Sequence, residues 1–158
     1  MAVKVLIIGG SFGGLTTAYE LRRHLGPDAA AITLVSKDPR FVFVPSLPWV
    51  AMGSRTLDQI SFDLAPALAR KQVEFAHEKV LNIDHEHMTV TTDNVERRYD
   101  FLVVATGHRS ANEAVEGLGP FDGPGHSLMS GLRVRLRARS PAAPPADAPC
   151  GADHLRHP

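Results

Sequence analysis

The sequence predicts an α/β chain: a parallel sheet with an antiparallel β-meander inserted late in its order. Three observations carry that reading. Val3 to Ile8 is an uninterrupted aliphatic run rich in β-branched residues and closed by Gly9-Gly10, the pattern of a strand buried on both faces. A helical period follows, and then a second aliphatic run at Ala31 to Val35. From Val73 to Tyr99 the pattern changes to short alternating stretches separated by turn residues, as expected of antiparallel strands.

Taken in order, Leu15, Ala18, Leu21, Arg22 and Leu25 recur at helical spacing, and Gly26-Pro27 stops that helix. With its flanking strands it makes a βαβ unit, whose crossover is right-handed in nearly all proteins. Pro39 to Arg55 reads as a long loop carrying three prolines, two phenylalanines and the chain's single tryptophan. Ser61 to Gln72 reads as a helix capped by Ser61 or Asp63, with Pro66 in its first turn. Val73 to Thr92 and Val95 to Tyr99 form the meander, with turns at Asp84-His85-Glu86 and Asp93-Asn94. Phe101 to Ala105, FLVVA, is a third buried strand that ends in Thr106-Gly107.

The chain has 158 residues, of which 44% are hydrophobic and 22% charged, enough apolar content for one domain with a core. Its formal net charge of +0 argues against a basic nucleic-acid binder. One cysteine, Cys150, excludes an internal disulfide, a paired-cysteine redox motif and a four-thiolate zinc site. No apolar run reaches the roughly 18 residues of a membrane span, and the N-terminus lacks a secretory core, so a cytoplasmic location is expected. Residues 1–130 are expected to fold. Residues 131–158 hold six Ala, five Pro, five Arg and two Gly, and carry five Arg against two Asp. That composition predicts a disordered tail, and its abrupt onset suggests an out-of-frame or displaced C-terminus.

The chemistry concentrates in Gly9-Gly10-Ser11-Phe12-Gly13-Gly14. Read as GxGxxG, the frame is Gly9, Ser11 and Gly14. Gly9 permits a tight turn, the second position needs a small residue so that backbone approaches a pyrophosphate, and Gly14 lets helix and strand pack closely. The helix N-terminus then offers free N–H groups and partial positive charge to phosphates. A strand before the motif and a helix after it supply the context that it requires. The acidic residue that commonly binds ribose hydroxyls should fall near position 36, where Ser36 stands, followed by Lys37 and by Asp38 as a possible substitute. His85 and His87 alternate across a turn without a third convergent ligand, so no metal site is expected there. Arg133, Arg135, Arg137 and Arg139 lack aromatic neighbours for base stacking and read as a solvated tail.

Residues 1–130 resemble the N-terminal part of sulfide:quinone oxidoreductases, within the FAD-dependent pyridine nucleotide-disulfide oxidoreductase superfamily. The resemblance rests on IIGGSFGGL (7–15), ITLVSKD (32–38), FVFVPSLPWVAMG (41–53) and YDFLVVATG (99–107). It implies a Rossmann-like FAD-binding three-layer (ββα) domain, incomplete at the C-terminus. It also implies FAD with its pyrophosphate at Gly9, Ser11, Phe12, Gly13 and Gly14 and its ribose at Ser36 and Lys37. The adenine would lie against Val80, the flavin side against Pro45, Ser46 and Pro48, and Ala105-Thr106-Gly107 would pass close to the cofactor. Quinone and sulfide are the partners the family implies, with peripheral membrane attachment in complete relatives.

One departure weighs against independent turnover. The family's Ser-x-Cys-Thr stretch is matched here by Ser127-Leu128-Met129-Ser130, and a thioether cannot act as a thiolate nucleophile. The expectation is an FAD-binding portion, truncated and inactive alone, with no catalytic residue of its own. A type II NADH:quinone oxidoreductase-like fragment and a non-catalytic nucleotide-binding module are the alternatives.

Overall fold

The computed structural model describes residues 2–108. Strand β1 (Val3–Ile8) pairs in parallel with β2 (Ala30–Ser36) along its whole length, Val3 opposite Ala30 and Ile8 opposite Val35. On its other side β1 pairs in parallel with β9 (Phe101–Val104), and β2 carries β5 (Glu74–His77), so the sheet order is β5-β2-β1-β9. Helix α1 (Phe12–His24) connects β1 to β2.

The period-two geometry of a strand explains why β1 and β2 are aliphatic without alternation. Val5 and Ile7 of β1, with Ile32 and Leu34 of β2, pack with Leu15 and Ala18 of α1 and Leu64 and Leu68 of α3 (Leu64–Ala69). Leu6, Ile8 and Val35 point the other way and pack with Val90 and Tyr99. Val90 belongs to the antiparallel meander of β6 (Val80–Asp84), β7 (Thr89–Thr92) and β8 (Glu96–Arg98). The layers are therefore meander, parallel sheet and helices, the three-layer ββα arrangement. Ile7, Leu34, Leu64 and Leu68 are wholly buried at its centre.

Several elements depart from the sequence reading. The expected loop 39–55 holds β3 (Arg40–Val42), a 3-10 turn (Val44–Ser46) and α2 (Leu47–Ala51). Pro45 and Pro48 begin those helical turns, where a missing N–H costs nothing. Residues Ser61–Asp63 form strand β4 rather than a helical turn. The antiparallel pairing of β3 with β4 stacks Phe41 on Phe62 at 4.9 Å between ring centroids and sets Arg40 opposite Asp63. Helix α3 therefore starts only at Leu64, whose N–H is taken by the Pro39 carbonyl at 2.9 Å.

The stretch after Val73 does not open the meander, because β5 joins the parallel sheet beside β2. Strand β9, like β5, is an edge strand among the described residues, with Phe101 63% and Val104 57% exposed, so the expected burial on both faces is not met there. The expected tail 131–158, Cys150 and the Ser127–Ser130 stretch lie outside the described residues.

Candidate functional site

A cleft of about 670 Å³ opens at the carboxyl ends of β1, β2, β5 and β9. In open α/β sheets this is where ligands bind, and the volume lies within the usual range for small-molecule and cofactor sites. Of the residues expected at the site, Gly9, Ser11, Ser36, Lys37, Val80, Ala105 and Thr106 line it together.

The turn from β1 into α1 is built so tightly that glycine is required at two positions. Gly9 has φ +116°, and a β-carbon there would overlap the Ala105 carbonyl. A β-carbon on Gly14 would overlap the Gly9 carbonyl oxygen, so the first turn of α1 rests directly on the end of β1. Backbone bonds fix the turn from both sides, Gly9 N–H to the Val35 carbonyl and Ala105 N–H to the Ile8 carbonyl, each 2.8 Å. Ser11 occupies the N-cap with extended backbone and no side-chain capping bond. The first backbone bond into α1 is that of Leu15 to the Ser11 carbonyl, which leaves the N–H groups of Phe12, Gly13 and Gly14 without intrahelical partners. With the helix dipole they form an anion-seeking end beside the cleft.

The opposite wall is the turn after β2. Ser36 is buried, and its hydroxyl donates to the Asp38 carbonyl at 2.9 Å and accepts from the Asp38 N–H at 3.2 Å. The same hydroxyl packs against Gly10, where a β-carbon would come within 2.9 Å of it. His77 Nε2 donates to the Lys37 carbonyl at 3.0 Å, tying this turn to β5. Glu78, 9% exposed, receives two bonds from Arg97, at 2.6 and 3.0 Å, which hold its carboxyl below the usual carboxylate range. Arg97 reaches on to Glu74 at 3.2 Å, so a single guanidinium on β8 of the meander holds carboxylates at the start of β5 and just past its end.

Phe12, Gly13, Gly14, Pro45, Ser46 and Gly107, also expected at the site, are not among the residues that line the cleft. Phe12 and Gly13 lie in the first turn of α1, and Gly13 faces the Ala105 side chain. Pro45 is exposed and Ser46 buried in the 3-10 turn, whose neighbours Val44 and Leu47 reach the cleft. Gly107 leaves β9 with φ +75°. Sequence reasoning missed Arg40, Glu78 and Lys79, all on the lining. The last two follow β5 directly, and reading EFAH as a parallel strand would have put them at the same sheet end as Gly9. In the meander turn, Asp84 accepts from the His87 N–H and ring, which lowers its carboxyl pKa, and the residue is half-buried. Among the described residues, no cluster of three or more His, Cys, Asp or Glu is suited to hold a metal ion, and no helix is long and apolar enough to cross a membrane.

A parallel sheet, a glycine turn that no larger side chain fits and a cleft at the strand ends define a Rossmann-like domain of the dinucleotide-binding type. The chain belongs to the pyridine nucleotide-disulphide oxidoreductase family, whose sequence model matches residues 3–142. Within it the chain is sulfide:quinone oxidoreductase-like. It is 48% identical over 108 residues to a sulfide-quinone reductase of Aquifex aeolicus, a match covering 68% of this chain and 25% of that protein. A type II NADH:quinone oxidoreductase of Staphylococcus haemolyticus is 29% identical over 115 residues, 73% of this chain and 29% of that protein.

Among solved structures, the sulfide:quinone oxidoreductase of Aquifex aeolicus superposes with a TM-score of 0.77 at 38% identity, covering 87% of this chain and 31% of that one. An NAD-dependent persulfide reductase of A. fulgidus superposes with a TM-score of 0.71 at 27% identity, covering 84% and 26%. The chain thus spans about a quarter of the length of the curated relatives it matches.

Proposed function

We propose that the chain is the FAD-binding portion of a flavin-dependent oxidoreductase of the sulfide:quinone type. The observation that carries this is the Gly9–Gly14 turn: backbone fills the space a side chain would need, Gly9, Gly10 and Ser11 line the cleft, and the N–H groups of Phe12, Gly13 and Gly14 that follow have no intrahelical partner. A diphosphate is the anion that such a cradle suits, at Gly9, Ser11, Phe12, Gly13 and Gly14. The ribose lies on the turn that opens with Ser36 and Lys37, and the adenine against Val80. The flavin side runs past Ala105, Thr106 and Gly107 toward Pro45 and Ser46. Bound flavin supplies two-electron chemistry; the residues of this chain bind and orient it.

Sulfide as donor and quinone as acceptor are supported by the 48% identity to the Aquifex protein. The chain alone is inactive in this reading. Sulfide oxidation needs thiolates beside the flavin, and the chain has a single cysteine, Cys150, far along the sequence from the cradle. In this reading the FAD-binding portion spans residues 1–130 of the sequence, ahead of the Pro/Ala/Arg-rich stretch, and the setting is cytoplasmic with peripheral membrane attachment of the complete enzyme.

The test is titration calorimetry of the 158-residue chain with FAD and with ADP, together with the visible spectrum of the purified protein. Flavin that co-purifies, or FAD binding in titration, is expected, without quinone reduction by sulfide. A chain that binds neither FAD nor ADP refutes the reading. Binding of ADP but not FAD would favour a nucleotide-binding module without redox chemistry. Flavin reduced by NADH would favour the type II NADH:quinone oxidoreductase branch.

A further inference from the structure

Ribose hydroxyls in such clefts are commonly held by a carboxylate at the end of the second strand, a position filled here by Ser36. The structure gives Ser36 a different task. Its hydroxyl is occupied in both directions by the Asp38 backbone, donating at 2.9 Å and accepting at 3.2 Å. It is 8% exposed and wedged under Gly10, so it braces the post-β2 turn against the glycine turn.

Two carboxylates line the cleft, Asp38 and Glu78. Both oxygens of Glu78 are held by Arg97. The Asp38 side chain is exposed and makes no hydrogen bond or ion pair among the described residues, while its backbone is fixed by Ser36. The brace therefore presents a free carboxylate at the cleft wall, two residues beyond the usual place.

Resting on the FAD reading above, we propose that the Asp38 carboxylate accepts the ribose hydroxyls of the adenosine diphosphate moiety, and that Ser36 is the positioning residue that aims it. Discrimination between ribose and deoxyribose then depends on Asp38. Phosphate affinity depends on the glycine turn and not on Asp38.

The test is calorimetric titration of the natural chain and of Asp38→Ala with ADP, 2′-deoxy-ADP, 3′-deoxy-ADP and inorganic pyrophosphate, with thermal melts of both proteins without ligand. Asp38→Ala is expected to melt like the natural chain, because the side chain is exposed. Its affinity for ADP should fall about tenfold, as for loss of a hydrogen bond to a charged group, while pyrophosphate binds no more weakly. The natural chain should bind at least one deoxy analogue about tenfold less tightly than ADP, a distinction that Asp38→Ala erases because alanine has no acceptor. An Asp38→Ala protein that distinguishes ADP from its deoxy analogues as the natural chain does overturns the proposal, as does a natural chain that makes no distinction. In both cases the diphosphate reading stands, because ADP still binds. Failure of ADP, FAD and pyrophosphate all to bind the natural chain removes the cleft reading and this proposal with it.

Discussion

Replacing Gly9 with alanine tests the cradle most directly. Two costs combine. The backbone at φ +116° is a region L side chains rarely adopt, which costs about 1–3 kcal/mol. The added β-carbon also meets the Ala105 carbonyl. That oxygen cannot yield easily, because the Ala105 N–H is bonded to the Ile8 carbonyl at 2.8 Å and continues the β1–β9 pairing. Overpacking of this kind costs about 1–3 kcal/mol, so a total near 3 kcal/mol is expected, or about 9 °C in melting temperature for a chain of this length. Urea and thermal unfolding followed by circular dichroism give the comparison. Gly26→Ala is the control: nothing lies within 4 Å of its β-carbon position and its φ is not positive, so its effect should stay within about 0.5 kcal/mol. A Gly9→Ala protein as stable as the natural chain, or a Gly26→Ala protein equally damaged, would refute the steric reasoning. ADP titration of the folded fraction should show binding lost as well, since β9 must move to make room.

The clamp between meander and sheet gives a second test. Arg97→Met leaves the buried Glu78 carboxylate without its partner and should cost about 2 kcal/mol in urea unfolding. The same pair sets a pH dependence. The folded-state pKa of Glu78 is depressed, so its stabilisation is present above the ordinary value of 4.5 and is lost as pH falls through the folded-state value. Stability should therefore decline below about pH 4.5 more steeply in the natural chain than in Arg97→Met, and parallel curves would count against the clamp. Leu34→Ala removes a wholly buried side chain between the strand layer and the helices and should cost about 3 kcal/mol by the same assay. Met88 sits at φ +52° in the meander turn with its side chain 44% exposed, so Met88→Gly should raise stability by about 0.5–1 kcal/mol.

Much of the fold was legible where the physical signal is local. The aliphatic runs of β1 and β2 read as doubly covered strands because both faces are covered, one by α1 and α3 and the other by the meander. The glycine turn was legible as a tight strand-to-helix connection because its sequence and its strand–helix context are contiguous. What failed depends on distant pairing. Nothing within Arg40–Val42 marks it as a strand until Ser61–Asp63 is known to lie opposite it, and Phe41 stacks on Phe62 only across that pair. Strand β5 alternates like a meander strand, and only its register with Thr33 to Ser36 makes it part of the parallel sheet.

At the site, residue type and position proved separable. Serine at 36 was legible as a missing carboxylate, but its own role was not, since that role is set by a hydroxyl turned back onto the Asp38 backbone and a contact with Gly10. Glu78 and Lys79 reach the cleft because β5 ends level with β2, which no pattern within either strand records. Gly9, Gly10 and Ser36 form one connected piece: the glycine turn is tight because β9 presses on it from one side and the Ser36 brace from the other. The Ser36 hydroxyl already lies against Gly10, so a longer carboxylate at 36 has to find room beside that glycine. A larger side chain at 36 and any side chain at 10 would compete for the same space.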